Sequence, residues 1–227
     1  MDKPFSLIYI SPRKIMRFLA DNPVDWKYDD RDVADTLGNK KTITPGMALF
    51  FDLLQKRGEL FTQREYVLFA NHYWNEWLNG FSAEERRAIL IRTGVNFYPS
   101  AIDSLHVWGL LVESGKFEMC LIDPLMDAVS KVDLTLYPNN GLLPIKVALF
   151  APTERSKKWR KQKAKFRGID SECVEIPLDM DSPKRPGNKR WYGIKDLKPI
   201  FDKLNPPSQP PPNLFLQEGK SKCGPMS

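Results

Sequence analysis

At 227 residues the chain has room for one large domain or two small ones, and 42% hydrophobic with 27% charged residues is the balance of a folded globular protein. No apolar run approaches the ~18 residues of a membrane span, and the N-terminus, broken by Pro12 and the Arg13–Lys14 pair, lacks a signal-peptide cleavage pattern. The net charge of +6 points to an acidic partner, and three scattered cysteines (Cys120, Cys173, Cys223) without CxxC spacing read as reduced thiols of a cytoplasmic protein.

The first 96 residues read as a mostly helical region. Ser11 caps a helix through Leu19, with Pro12 at its first position. Residues 21–45 read as loop. A second helix opens at Thr44-Pro45 and ends at Gly58. Thr62 and Glu65 form a capping box, and the helix that follows carries Tyr66, Phe69, Ala70, Tyr73, Trp74 and Trp77 on one face as far as Gly80. Such a stripe is core or, alternatively, a base-stacking surface. Ser82 and Glu85 repeat the capping box for a short helix to about Thr93.

From residue 97 the pattern becomes α/β. Ser100 is placed to cap a helix over 101–114, closed by Gly115. Lys116 to Ile122 alternates as a strand. Lys131 to Tyr137 does so strictly, with Val132, Leu134 and Leu136 on one face and Lys131, Asp133 and Thr135 on the other. Asn139-Asn140-Gly141 marks a hairpin into a third strand, Leu142 to Phe150. A basic helix is expected over 153–166, a fourth strand over Cys173–Leu178, a loop over 179–190 and a last helix over Ile194–Leu204. From residue 205 the Pro-rich tail cannot bury a core and reads as disordered, with one apolar patch at Leu214–Leu216.

The charge is unevenly spread. Residues 95–150 hold 3 basic and 6 acidic side chains, whereas 151–167 hold 8 and 1. That layout suits a phosphate-binding segment beside a cation pocket. Arg155, Lys157, Lys158, Arg160, Lys161, Lys163, Lys165 and Arg167 would attract a phosphate backbone without reading sequence. Lys184, Arg185, Lys189 and Arg190, followed by Trp191 and Tyr192, extend that surface and offer aromatics to a base.

On the α/β half, Asp103, His106 and Glu113 share a helical face by their spacing, Asp133 lies on the second strand, and Lys146 and Ala148 share a face of the third. Each also has a structural reading. Asp133 is a polar residue of an exposed strand face, Asp103 completes a helix cap, and His106 is satisfied within a polar interface. Glu113 then faces solvent, and Lys146 snorkels from the sheet.

The fragments Ser100–His106, Val132–Leu136, Leu143–Val147 and Thr153–Ser156 together resemble the PD-(D/E)xK, or restriction-endonuclease-like, superfamily over roughly residues 98–204. The resemblance implies an α/β core with a mixed sheet flanked by helices. It also implies Asp133 as the motif aspartate, Mg²⁺ held by carboxylates, and a lysine that orients the attacking water. The sequence departs from the motif: Lys146 stands where an acid or glutamine is expected and Ala148 where the lysine is. Two alternatives follow. In one, Lys146 serves as the lysine and Asp103, Glu113 or Asp127 supplies the second acid, giving a DNA-cleaving enzyme of restriction, transposition or defence. In the other, the metal site is lost and the protein is a DNA-binding subunit that docks partners through its N-terminal helices or the Leu214–Leu216 tail. An RNA-binding module is a third reading, because a basic helix does not distinguish DNA from RNA.

Overall fold

A computed structural model describes residues 8–24, 46–122, 132–150, 173–178 and 191–205. It is a mixed α/β protein with a four-stranded sheet. The elements run α1 (Pro12–Asp21), α2 (Gly46–Arg57), α3 (Gln63–Tyr73), α4 (Asn75–Leu78) and α5 (Ala83–Arg92). A π-helical turn (Thr93–Phe97) leads to α6 (Tyr98–Glu113), followed by β1 (Phe117–Ile122), β2 (Leu134–Pro138), β3 (Ile145–Phe150), β4 (Cys173–Pro177) and α7 (Lys198–Leu204).

The caps expected at Ser11, Thr62 and Ser82 form. The Ser11 side chain accepts from Lys14 N at α1, and both capping boxes close reciprocally at α3 and α5. Two helical boundaries differ from expectation. The aromatic helix does not run unbroken to Gly80: it breaks at Trp74, whose side chain enters the core. Ser100 is not a cap. The π turn carries the chain from α5 into α6, the Tyr98 N–H bonds Thr93 O, and Ser100 lies inside α6, where its carbonyl accepts from Ser104 Oγ at 3.1 Å. The wider π turn absorbs Pro99, whose missing N–H cannot join the α-helical ladder. The last helix is also shorter than expected, starting at Lys198 rather than Ile194.

The sheet order is β1-β2-β3-β4. β1/β2 and β2/β3 are antiparallel and β3/β4 is parallel. The hairpin forms at the expected residues, with Gly141 at φ 72°, which favours glycine. One buried cluster joins Ile15, Leu19, Phe50, Phe61, Tyr66, Ala101, Ile102, Leu105 and Leu111 to Leu134, Leu136, Val147, Val174 and Ile176. The helices therefore cover one face of the sheet. α6 is the central element, and it comes close enough to α1 that a Cβ on Gly109 would lie 2.9 Å from Pro12 Cδ. At the heart of the helical side, Phe50, Phe61, Tyr66 and Tyr98 pack ring against ring. Tyr98 Oη donates to Phe61 O at 2.6 Å and Tyr66 Oη to Gly46 O, so each buried hydroxyl has an acceptor. Burial pushes both phenol pKa values well above the ordinary range. Among the described residues no helix is long and apolar enough to cross a membrane.

Candidate functional site

The sheet has one end where β1 finishes, β2 begins and the parallel strands β3 and β4 finish, as the pairings Ile122↔Leu134, Leu134↔Val147 and Phe150↔Pro177 require. Ligand sites of α/β sheets favour such carboxyl ends of parallel strands. The buried polar residues of α6 belong to this end. Asp103 is 8% exposed, Ser104 1% and His106 3%. The His106 ring packs 4.6 Å from the ring of Trp191, and Tyr192 Oη donates to Phe150 O at 3.4 Å.

Asp133 is here, but not as strict alternation predicts. Leu134 pairs with Val147, and Asp133 N also donates to Val147 O at 2.9 Å. Two residues of this strand therefore oppose one of β3, the arrangement of a β-bulge. The bulge turns the carboxylate away from the Thr135 face. Asp133 Oδ2 accepts the Leu149 N–H at 2.8 Å, and Oδ1 accepts from Ser104 Oγ at 3.4 Å. The carboxylate thus stands in for the next backbone carbonyl of the ladder and ties β3 to α6. An exposed strand-face aspartate, the structural reading of the sequence, does not describe it: Asp133 is half-buried and bonded on both oxygens.

The bulge also decides which β3 residues Asp133 meets. Lys146 pairs with Thr135 on one side and Cys173 on the other, so these three share a face. Ala148 shares that face and pairs with Glu175 on β4. It is buried, yet outside the cluster that unites the helices with the sheet. Val147 and Leu149 pack on the helix side with Asp133, and both are aliphatic. Asp133 and Lys146 are therefore not brought together. Glu175 is an acid the sequence reading missed; only the β3/β4 register places it beside Ala148.

The helix acids separate in the same way. Glu113 lies nine residues beyond Ser104, about 13 Å along the axis, and accepts a 2.6 Å hydrogen bond from Tyr9 Oη. Partial burial, together with this carboxylate, pushes the Tyr9 phenol up to about 12. The N-terminal segment is thereby fastened to the far end of α6, where Tyr9 also packs on Trp108 and Trp108 Nε1 donates to Cys120 O at 2.8 Å. Asp103 adjoins Ser104 and is the expected ligand that stays near Asp133. It is interior to α6 rather than part of a cap.

Mg²⁺ requires several oxygens, usually including one or two carboxylates, in octahedral geometry. Asp133, Asp103 and Glu113 do not converge on such a set, β3 adds only aliphatic side chains on their side, and no three His, Cys, Asp or Glu residues gather among the described residues. Among the described residues, Glu113 therefore stands apart from Asp133, and Asp103 is the expected acid that lies beside its Ser104 partner. The basic side chains Arg155, Lys157, Lys158, Arg160, Lys161, Lys163, Lys165, Arg167, Lys184, Arg185, Lys189 and Arg190 lie outside the described residues, as do Asp127 and Leu214–Leu216. No protein-family model, curated protein or solved structure matches this chain.

Proposed function

We propose that this protein binds DNA through its basic 155–167 run, and that its α/β half is a restriction-endonuclease-like core without a cleaving centre at Asp133. It acts as a binding subunit of a larger complex. The observation that carries the non-cleaving part is the bulge. It commits Asp133 Oδ2 to Leu149 N, sets Oδ1 3.4 Å from the Ser104 hydroxyl that also donates to Ser100 O, and faces the carboxylate with Val147 and Leu149 rather than with Lys146. The binding part rests on charge: eight Lys and Arg in thirteen residues, with one acid in the whole 151–167 segment. In the sequence the segment follows Phe150, the last residue of β3. A phosphate backbone binds such a run by releasing counterions, so affinity falls steeply with salt.

Titrating salt against a fluorescent duplex tests this reading. Replacing Lys157, Lys158, Lys161 and Lys163 by Ala should flatten the slope of log K against log salt by ~3–4, one increment of about 0.9 for each lost phosphate contact. An unchanged slope rejects the segment as the binding surface. Plasmid incubated with clean protein and Mg²⁺ or Mn²⁺ should remain uncut. Metal-dependent nicking that Asp133→Ala abolishes would instead establish a nuclease.

A further inference from the structure

Three asparagines grip one arginine where α3, α4 and α5 meet. Arg86 Nη2 donates to Asn71 Oδ1 at 2.9 Å and to Asn75 Oδ1 at 3.1 Å, and Nη1 donates to Asn79 Oδ1 at 3.4 Å. The asparagines recur every fourth residue across the break at Trp74: Asn71 lies in α3, Asn75 opens α4 and Asn79 follows its last residue. Arg86 and Asn71 are half-buried, whereas Asn75 and Asn79 are exposed. We propose that this cluster is a binding site for a phosphate group.

The charge of the cluster is not cancelled. Arg57 shows the alternative, since it pairs with the carboxylates of Glu59 and Glu65. Glu76, Glu84 and Glu85 are close to Arg86 in the chain, but Glu85 Oε2 accepts the Ser82 N–H at 3.0 Å, and among the described residues Arg86 has no ion pair. Amide oxygens orient a guanidinium without neutralising it. The cluster therefore keeps a positive charge on a side chain that is already held in place, so little rotamer freedom is left to lose when a ligand arrives.

The hydrogen bonds select the ligand. Each asparagine that turns Oδ1 toward Arg86 turns Nδ2 away from it, and Nδ2 is a donor only. No described residue accepts from these three amide nitrogens. Of the guanidinium itself, Nε–H and one N–H of Nη1 carry none of the three bonds. Donors around an unneutralised cation suit an anion. A carboxylate has two oxygens in one plane, whereas the oxygens of phosphate project in several directions and collect donors from several residues at once. Arg87, exposed and without an ion pair among the described residues, is the next residue of α5. Small phosphate compounds and nucleic-acid backbones both carry the group. The site is separate from the 155–167 run and does not rest on that run binding DNA.

Asn75→Asp separates a phosphate site from a structural bracket. A carboxylate at position 75 gives Arg86 a stronger partner, so the bracket survives, but it cancels the charge and repels phosphate. Inorganic phosphate titrated into the full-length protein, with ionic strength held constant by sodium chloride, should shift the NMR signals of Arg86 Nε–H and of the Asn71, Asn75 and Asn79 side-chain amides. In Asn75→Asp the shifts at Arg86, Asn71 and Asn79 should need about tenfold more phosphate, the loss of one hydrogen bond to a charged group, while the unfolding midpoint is kept or raised. No shift beyond the chloride control, or the same titration in Asn75→Asp, overturns the proposal. The variant with Lys157, Lys158, Lys161 and Lys163 replaced by Ala should titrate with phosphate as wild type does, which keeps this test independent of the basic run. A fluorescent duplex then identifies the source of the group. If Asn75→Asp flattens the slope of log K against log salt by a further ~0.9, the site holds a nucleic-acid backbone; if the slope is unchanged, it holds a small phosphate compound.

Discussion

The helical side of the molecule is closed by many short-range contacts, and the Asp133 end of the sheet by one long-range carboxylate. Around α3 and α5, Thr62 with Glu65 and Ser82 with Glu85 bond across three residues, and the Phe50, Phe61, Tyr66 and Tyr98 rings share the load of the core. Removing any one of these leaves the rest in place. At the sheet end, Asp133 alone supplies the acceptor for Leu149 N–H on β3, sixteen residues away, and meets Ser104 on α6, twenty-nine residues away. A distributed closure tolerates substitution, whereas a single carboxylate serving two elements does not.

The largest effect should therefore come from Asp133→Ala. It strips the half-buried Leu149 N–H of its acceptor and opens the join between β3 and α6, at a cost of about 2 kcal/mol, within the range for lost charged hydrogen bonds. Asp133→Asn keeps one carbonyl oxygen for Leu149 N–H and should lose less than about half of that. Denaturant unfolding of the two variants measures the difference. Equal stability of wild type and Asp133→Ala would show that the carboxylate holds nothing together, and would return it to the role of a waiting ligand.

The local side should respond more gently. Thr62→Ala removes one cap and should cost about 1 kcal/mol. Its partner Glu65 is held below the ordinary carboxylate range, first by the Thr62 backbone N–H, then by the Thr62 hydroxyl, and in smaller part by Arg57. A carboxylate with a lowered folded pKa contributes stability above its unfolded value and loses it as pH falls through the folded one. The gap between wild type and Thr62→Ala should accordingly narrow in acid. A gap that stays constant from neutral pH into the acid range would mean the box contributes nothing through its charge.

The same contrast explains what could be read from the sequence. The caps at Ser11, Thr62 and Ser82, the turn at Asn139-Asn140-Gly141 and the apolar period of Leu134 and Leu136 are written in residues at most a few positions apart, and these form. The misplaced features are decided at a distance. Trp74 leaves the helical register and is buried against residues distant in the chain. The π turn at Thr93–Phe97 depends on Gly94 lying against α3, where a Cβ would meet Val67 Cγ2 at 2.8 Å. The bulge at Asp133 depends on where Val147 and Leu149 present their backbone groups. A two-residue strand period carries no sign of an inserted residue, so strict alternation puts Asp133 on the Thr135 face although it belongs to the other. Glu175 was invisible for a related reason, since the pairing with Ala148 exists only across a parallel register.

The smallest expected effect is the sharpest test of this geometry. Lys146→Glu with Ala148→Lys introduces an acid-x-lysine pair into β3 at the two positions where the resemblance expects it. If the motif were the only missing part, the double variant should acquire Mg²⁺-dependent nicking of plasmid DNA. The register makes the opposite prediction. Positions 146 and 148 share the face of Thr135, Cys173 and Glu175, whereas Asp133 faces Ser104 on the helix side. The new glutamate and lysine would then stand on one side of the sheet and the aspartate on the other, too far apart to hold one ion and one water. Cleavage should stay at the wild-type background, with folding confirmed by circular dichroism because a lysine at the buried position 148 strains its surroundings. Any metal-dependent gain that Asp133→Ala then removes would mean that the carboxylate swings to the Lys146 face and that the bulge is a resting state.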